Sequence, residues 1–230
     1  MHEEPIRDSK SRVLDAAEQL FHARGYKAIT LRDIAAAVGL NHASLYHHVP
    51  GGKEVLFVEV MQRAFARHRA HLAAAIADAG PDLRAQLRAA ARWMLSQAPI
   101  DFMRMMLADM PALDEAHGRQ LSRDAYTAFL QPFEAAFSAA HLRGDIRMIS
   151  NPITLAGAFL SIVQSAHAAP ISAAHTSQSK EDMIDELVDV LLDGLRPRCS
   201  DLAHGSALAH GSIPPPQSTI DIPASLHTEG

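Results

Sequence analysis

Residues 30–53, TLRDIAAAVGLNHASLYHHVPGGK, contain two short helical patterns that are separated by a glycine. Thr30 opens the first pattern as a helix cap, and Asp33 follows three positions later as in a capping box. Gly39 ends this helix, and Asn41 is placed to cap the second one. Two short helices joined by a glycine-containing turn indicate a helix-turn-helix, so the stretch predicts a module whose second helix enters a DNA groove.

The outward face of the second helix carries short polar side chains, which can reach base edges and phosphates in a major groove. Tyr46 and Lys53 flank this face with a hydroxyl and an ammonium, both common phosphate partners. The start of the first helix, near Thr30, adds backbone N–H groups that favour an anion. Ordinary capping, packing and solvation are the alternative roles. The residues predicted to contact DNA are Thr30, Arg32, Asn41, His42, Ala43, Ser44, Tyr46, His47, His48 and Lys53.

The rest of the chain has apolar residues at helical spacing, which favours an all-α protein. One helix is predicted before the quoted stretch, over about 9–24. Further helices are predicted after it: a long one that ends before Gly80, and others over about 82–97, 101–109, 113–143, 152–168 and 180–194. Pro132 should kink or divide its helix. Residues 197–230 are rich in proline, glycine and serine, and we expect a disordered tail there.

Charge and composition exclude several classes of protein. The net charge is −5, but residues 1–53 carry +1, so the acidic surplus lies elsewhere and charge alone does not exclude nucleic acid. One cysteine excludes an intramolecular disulfide framework and indicates a reducing compartment. No apolar run has the length of a membrane span, and the first ten residues lack the apolar core of a secretory signal. We therefore expect a cytoplasmic protein with no membrane partner.

Motifs for catalysis or cofactor binding do not stand out in the sequence. It has no GxSxG, P-loop, GxGxxG or HExxH pattern. His68 and His71 lie on one helical face, but no nearby residue completes a metal-ligand set. The sequence predicts a protein that is not an enzyme and that has no cofactor or metal.

The middle of the chain is rich in methionine and phenylalanine, and this composition has two interpretations. The side chains can form a plain helical core, or they can line a flexible apolar pocket for a hydrophobic ligand. Arg104 in this region is either a partner for an anionic ligand or a surface ion-pair residue. The residues predicted to line a pocket are Trp93, Phe102, Met103, Met106, Met110, Phe129, Phe133 and Phe159.

The stretch SRVLDAAEQLFHARGYKAITLRDIAAAVGLNHASLYHHVPGGKEVLF, residues 11–57, resembles the DNA-binding domain of the TetR/AcrR transcriptional regulators. The PGGK form, in place of the more usual PSK, is similar to the LmrA/YxaF-type branch. Val49 departs from the phenylalanine usual in the family, and we expect a local packing adjustment there. The matching residues are Leu20-Phe21, Gly25-Tyr26, Thr30, Asp33-Ile34-Ala35, Gly39-Leu40, Leu45-Tyr46 and Lys53.

The resemblance implies a fold of about nine helices in two domains. A three-helix DNA-binding domain would span residues 8–68, with its helix-turn-helix at about 31–50. A helical domain for ligand binding and dimerisation would span residues 69–196. Helices 152–168 and 180–194 would form a four-helix bundle with a second copy of the chain.

The function that the resemblance implies is a ligand-responsive transcriptional regulator, most simply a repressor. A small hydrophobic effector would release the homodimer from a palindromic operator in double-stranded DNA. Two alternatives stay open at this point. One is a regulator without a small-molecule effector, controlled by a partner protein or acting as an activator; the other is a helical enzyme or carrier with a vestigial helix-turn-helix.

Overall fold

The computed structural model describes residues 3–98, 104–147, 151–168 and 178–197, and every regular element within these ranges is helical. This confirms the predicted all-α fold of about nine helices. No helix in the described ranges is long and apolar enough to cross a membrane. The tail predicted over 197–230 lies outside the described residues from 198 onward. The α-helices are α1 (Glu3–Ala28), α2 (Leu31–Val38), α3 (His42–His48), α4 (Gly52–Asp78), α5 (Leu83–Ser96), α6 (Glu115–Ala125), α7 (Gln131–Leu142), α8 (Pro152–Ala168) and α9 (Lys180–Gly194).

Helices α2 and α3 form the helix-turn-helix that the sequence predicts. The Thr30 hydroxyl accepts the Asp33 N–H, and the Asp33 carboxylate accepts the Thr30 N–H at 2.8 Å, so the capping box is complete. Gly39 has φ 70°, a left-handed conformation that favours glycine and ends α2. Asn41 Oδ1 accepts the Ser44 N–H at 2.8 Å and caps α3. Val49, where the family usually has phenylalanine, is buried.

Helix α1 breaks at Gly25, which has φ 78° and ψ 168°. This conformation is essentially restricted to glycine. The predicted helix end at Gly25 is confirmed as a sharp break in the helix. A short helical stretch follows the break and extends to Ala28.

Helix α4 runs without a break for 27 residues and packs against α1, α5 and α6. Its N-terminal half buries Leu56 and Phe57 beside the helix-turn-helix, and its C-terminal half buries Phe65 and Leu72. The domain boundary predicted near residue 68 falls inside this helix, so the two predicted domains share α4 as one element.

A phenylalanine-rich core fills the space between α4, α7 and α8. Phe129, Phe133 and Phe159 are 1%, 0% and 0% exposed, and the Phe133 and Phe159 rings meet edge to face at 4.8 Å. Pro132 lies in the first turn of α7, where its missing N–H costs no helical hydrogen bond. A π-helical turn, Tyr126–Leu130, precedes it and runs directly into α7, so the helix changes type just before Pro132, and the predicted kink or division there stays a prediction.

Ion pairs connect α5 to α9 along their length. The arginines recur every four residues on α5 and the aspartates every four on α9, so the two sets face each other turn by turn. Arg88 Nη2 lies 2.8 Å from Asp189 Oδ1, and Arg92 Nη2 lies 2.7 Å from Asp185 Oδ2. These side chains are partly exposed, so each pair adds little stability on its own. The residues are Arg84, Arg88, Arg92, Asp185, Asp189 and Asp193.

Candidate nucleic-acid interface and ligand cavity

Helix α3 buries one side and exposes the other. Leu45 is 0% exposed beneath the helix, whereas Ala43, Tyr46 and His47 are exposed, with Tyr46 at 45%. Ser44 and His48 are half-buried, and Arg32 at the start of α2 is exposed. The side chain of His42 lies outside the part of the chain that the structure describes. Most of the α3 residues that are predicted to contact DNA therefore lie on the solvent-exposed side of the helix.

Lys53, Thr30 and Asn41, all predicted to contact DNA, have hydrogen-bond partners within the chain. The Lys53 ammonium donates to the carbonyl oxygens of Tyr26 and Ile29 at 3.0 Å each and lies 4.2 Å from the centroid of the Tyr26 ring. Thr30 and Asn41 are the caps of α2 and α3. These contacts match the capping and packing alternative, and phosphate contact by the three side chains stays a prediction.

A cavity of about 460 Å³ lies between α1, α4 and residues 97–98 and 104–109. Its volume falls in the usual range for small-molecule sites, roughly 300–1,000 Å³. The wall combines apolar side chains with charged ones. The lining residues are Asp15, Glu18, Gln19, Phe21, His22, Val60, Met61, Arg63, Ala64, Phe65, Arg67, His68, Gln97, Ala98, Arg104, Met105 and Asp109.

Of the apolar residues predicted to line a pocket, the six that the structure describes do not border this cavity, and a ligand-binding role for the set stays a prediction. Phe133 and Phe159 are fully buried core residues, and Phe129 borders a separate void of about 10 Å³, room for one water at most. Met110 is buried and Met106 is 48% exposed. Trp93 packs against the rings of His68 and His71. Phe102 and Met103 lie outside the described residues.

The physical reason for this difference is that apolar periodicity identifies side chains that are buried on folding. It does not distinguish burial against a neighbouring helix from burial against a ligand pocket. Here the neighbouring helices cover the phenylalanines, and the cavity lies instead between α4 and α1. The charged wall of the cavity leaves no local signal in the sequence, because the ion pairs there join residues far apart in the chain: Arg63 pairs with Asp15, and Arg67 with Glu18.

His68 is a buried polar residue at the edge of the cavity. Its Nδ1–H donates to the Ala64 carbonyl oxygen at 2.9 Å, and burial lowers the pKa of the ring below 6.5. The imidazole is therefore neutral near pH 7, and Nε2 is left as an acceptor.

Arg104 and Asp109 hold the two sides of the break in α1, and we call this pair the latch. Arg104 Nη2 donates to the His22 carbonyl oxygen at 2.7 Å, where α1 would otherwise leave an unsatisfied acceptor. Asp109 Oδ1 accepts the Tyr26 N–H at 2.9 Å on the other side of the break. Arg104 Nε and Asp109 Oδ2 are 3.5 Å apart. Both latch residues also line the cavity, so the cavity wall and the end of α1 are in direct contact.

A second polar cluster joins the start of α4 to the start of α6. His117 Nδ1 lies 2.8 Å from Glu54 Oε1 and 2.7 Å from Asp114 Oδ2, and the Asp114 N–H donates to Glu54 at 2.9 Å. The ligand atoms of the three side chains lie within 4.8 Å of one another, a set that zinc accepts. The hydrogen bonds among Glu54, Asp114 and His117 are sufficient to explain why these side chains lie together. We call these three residues the clasp, because they connect the start of α4 to the start of α6. The expected absence of a metal stays a prediction.

Raising the pH from about 6 to about 8.5 should weaken this clasp. Hydrogen bonding to Glu54, aided by the charges of Asp114 and Glu54, raises the pKa of His117 above 6.5. A raised folded pKa means that the stabilisation is complete below the unfolded pKa of about 6.5 and is lost as the pH rises through the folded value. The Asp114 pKa is lowered, chiefly by the His117 backbone N–H, so this carboxylate keeps its charge in the window.

Urea denaturation of the wild type and of His117→Gln at the two pH values measures this effect. The wild type should lose more stability than the variant on going to high pH, because every other titrating group is common to both. Equal pH dependence in the two proteins would show that His117 contributes nothing to it.

The comparisons with known proteins agree with this architecture. Residues 13–60 match the sequence model described as bacterial regulatory proteins, tetR family. Over 54 residues the chain is 43% identical to the HTH-type transcriptional regulator LmrA of Bacillus subtilis (strain 168), which covers 24% of this chain and 29% of LmrA. The matched segment thus spans less than a third of that relative.

Two solved structures share the fold over most of the chain. One is a bacterial regulatory protein in the tetR family from Rhodococcus RHA1, with a TM-score of 0.61 and 21% identity, covering 83% of this chain and 98% of that one. The other is AibR in complex with isovaleryl coenzyme A and operator DNA, with a TM-score of 0.61 and 24% identity, covering 80% and 98%. The family match at the helix-turn-helix and the fold of the remaining helices agree: residues 13–60 form a DNA-binding domain of the tetR family of bacterial regulatory proteins, and the remaining helices share the fold of solved structures from that family.

Proposed function

We propose that the protein is a DNA-binding transcriptional regulator, acting in the cytoplasm as a repressor that a small effector releases from a palindromic operator. The observation that carries this proposal is the helix-turn-helix itself. Both of its helices are capped, Leu45 and Val49 fix α3 from beneath, and the open side of α3 presents polar side chains. Such a helix fits a major groove, with its side chains on the base edges.

The DNA-binding unit in this proposal is residues 8–68, and residues 69–196 form the dimer and complete the effector site, whose wall is shared between the two parts of the chain. Two copies would associate through α8 and α9 as a four-helix bundle. This is supported by an open surface on both helices: a Cβ atom added at Gly157 would meet nothing within 4 Å, and Val190 is 66% exposed. Two copies related by a two-fold axis would read two half-sites about one or more helical turns apart.

The effector in this proposal occupies the cavity beside α1 and α4. The effector would bind more tightly to a dimer conformation in which the distance between the two α3 helices does not match the two half-sites. Because effector and DNA then favour different conformations, effector binding lowers the affinity for DNA. The cavity supports this role because its wall includes the latch that holds the end of α1, which leads directly into α2 and α3.

A gel shift of the full chain with the DNA upstream of its own gene, at two salt concentrations, tests DNA binding. We expect a saturable shift that resists competitor DNA, has a two-fold symmetric footprint and weakens at the higher salt. If that DNA is not shifted, the next experiment is to select bound duplexes from a pool of random sequences. A folded dimer that selects no sequence would refute the proposal.

Two substitutions on α3 should separate phosphate contact from base readout. Tyr46→Phe removes a hydroxyl, and we expect affinity for all duplexes to fall about fivefold to tenfold alike. His47→Ala should instead change the preference among bases at one position of each half-site. Fluorescence anisotropy on selected and random duplexes measures both effects, with Arg119→Ala on α6 as the control. A base preference that changes in Tyr46→Phe but not in His47→Ala would reverse these roles.

A further inference from the structure

The His68 side chain brings an unused hydrogen-bond acceptor to the edge of the cavity. The residue is 8% exposed, and within the described part of the chain its only hydrogen bond runs from Nδ1–H to the Ala64 carbonyl oxygen. Because burial lowers the pKa of the ring, the imidazole is neutral near pH 7 and Nε2 carries a lone pair. A buried acceptor without a partner costs free energy, and a hydrogen-bond donor on a ligand would recover it.

Open space reaches the His68 ring from the cavity. Among the described residues, His68 Nε2 is not one of the unpaired side-chain atoms that the protein encloses completely, so it is in contact with open space. The cavity of about 460 Å³ and the void of about 10 Å³ share three lining residues, His68, Gln97 and Ala98, and His68 therefore lies between them. The smaller space holds one water at most, so the cavity is the one from which a ligand can reach Nε2.

The surroundings of His68 fix its ring beside an apolar surface. The ring centroids of Trp93 and Phe129 lie 5.2 and 5.1 Å from that of the imidazole, so the acceptor has a defined position. The cavity wall next to it includes buried apolar side chains, which favour an apolar ligand group because its transfer from water is favourable. A fixed acceptor beside such a surface orients a ligand that is apolar except for one donor group. The buried apolar residues of the wall are Phe21, Val60, Ala64, Phe65 and Met105.

The charged side chains of the wall are paired with one another. The wall carries three arginines and three carboxylates, and each arginine has a carboxylate partner. Arg104 also donates to the carbonyl oxygens of Phe21 and His22. A ligand with a net charge therefore meets no unmatched opposite charge among the described lining residues, and the cost of removing its charge from water is not offset. The pairs are Arg63–Asp15, Arg67–Glu18 and Arg104–Asp109.

We infer that the cavity binds an uncharged hydroxyl compound, an alcohol or a phenol, whose O–H donates to His68 Nε2 while its apolar body lies on the wall formed by α1 and α4. This assignment names the ligand class of the proposed effector site, and the role of that ligand in the release of DNA rests on the proposed function. An ether of the same size lacks the donor, and a carboxylate adds a charge that the wall does not match. The O–H group and the absence of charge are therefore the two features that determine which molecules bind.

Isothermal titration of the full chain near pH 7.5 with octan-1-ol, 1-methoxyheptane and octanoate tests the inference. The first two compounds are isomers, so they differ in the O–H donor and not in the number of heavy atoms. We expect the alcohol to bind about fivefold more tightly than the ether, or better, because the ether leaves the buried Nε2 unpaired. The alcohol should also bind more tightly than octanoate, whose charge is not offset. Titration with 4-butylphenol shows whether an aromatic or an aliphatic hydroxyl is preferred.

Variants on α4 test the role of His68 directly. His68→Phe keeps an aromatic ring against Trp93 and Phe129 but has no acceptor, so the preference for the alcohol over the ether should fall to less than about twofold while the ether binds as before. His68→Gln offers an amide oxygen as acceptor and should restore part of the preference. His71→Phe is the matched control, because His71 also contacts Trp93 but is exposed and does not line the cavity. We expect no change there.

A second measurement follows the acceptor nitrogen itself. In protein labelled with nitrogen-15 at histidine, the Nε2 resonance of His68 is assigned by its absence in His68→Phe. This resonance should move toward the position of a hydrogen-bonded nitrogen when octan-1-ol is added, and not when 1-methoxyheptane is added. The ligand response is measured on the wild type, and circular dichroism melts establish that each variant is folded.

Several results would overturn the inference. They are equal binding of the alcohol and the ether to the wild type, tighter binding of octanoate than of octan-1-ol, binding of none of these compounds, and a preference for the alcohol that persists in His68→Phe. Because the titration contains no DNA, its outcome is independent of operator binding. A protein that prefers octan-1-ol but selects no DNA sequence would refute the proposed function and leave the hydroxyl site standing.

Discussion

Phe133→Ala should lower the free energy of unfolding by about 3–5 kcal/mol, the usual cost of removing a buried phenylalanine. The Phe133 side chain is 0% exposed and packs edge to face on Phe159, so the substitution leaves a void between α7 and α8. Part of the cost is the lost transfer free energy of the ring, and part is the cavity that the surrounding helices cannot fill. Urea denaturation followed by circular dichroism measures it.

The control for this prediction is Leu142→Ala, because Leu142 is 86% exposed near the end of α7. We expect a change within about 0.5 kcal/mol there. The result also distinguishes the two interpretations of the phenylalanine-rich region. A loss below about 1 kcal/mol in Phe133→Ala would mean that the side chain borders open space, as a pocket residue would, and not a packed core.

Gly25→Ala should destabilise the protein by about 2–4 kcal/mol. A residue other than glycine at φ 78° and ψ 168° costs on the order of 1–3 kcal/mol in backbone strain. The added Cβ atom would also lie 3.2 Å from Asp109 Oδ1 and 3.3 Å from Arg104 Cδ, closer than ordinary packing. The latch residues must then move, and the Asp109 contact with the Tyr26 N–H weakens with them.

Gly118→Ala in α6 is the matched control. A Cβ atom there would meet only the Met110 carbonyl oxygen, at an ordinary 3.5 Å. Alanine in a helix is favoured over glycine by about 0.5–1 kcal/mol, so this variant should be as stable as the wild type or more stable. If Gly25→Ala and Gly118→Ala have the same stability, the break in α1 does not require glycine.

The helix-turn-helix was predictable because its determinants are local in sequence. The Thr30–Asp33 capping box and the Asn41 cap each join residues three positions apart, and Gly39 marks the turn by its own conformational freedom. Helix position and type follow from such signals.

The cavity and its charged wall were not predictable because they depend on distant residues. Tyr26 and Asp109 are 83 positions apart, and Glu54 and His117 are 63 apart. No periodicity links such pairs before the helices have packed. Lys53 shows that a local pattern can also leave a contact undetected. Its position after the helix-turn-helix predicts a phosphate contact, whereas its ammonium donates to two carbonyl oxygens of its own chain.

The unbroken course of α4 means that small rotations become large displacements. At 1.5 Å per residue its 27 residues form a rigid rod about 40 Å long. A tilt of about 5° at one end moves the other end by about 3.5 Å, close to the 3.4 Å spacing of successive bases along a DNA strand. In the proposed function, a bound molecule that rotates this rod by only a few degrees would therefore displace the helix-turn-helix by about the spacing of one base pair.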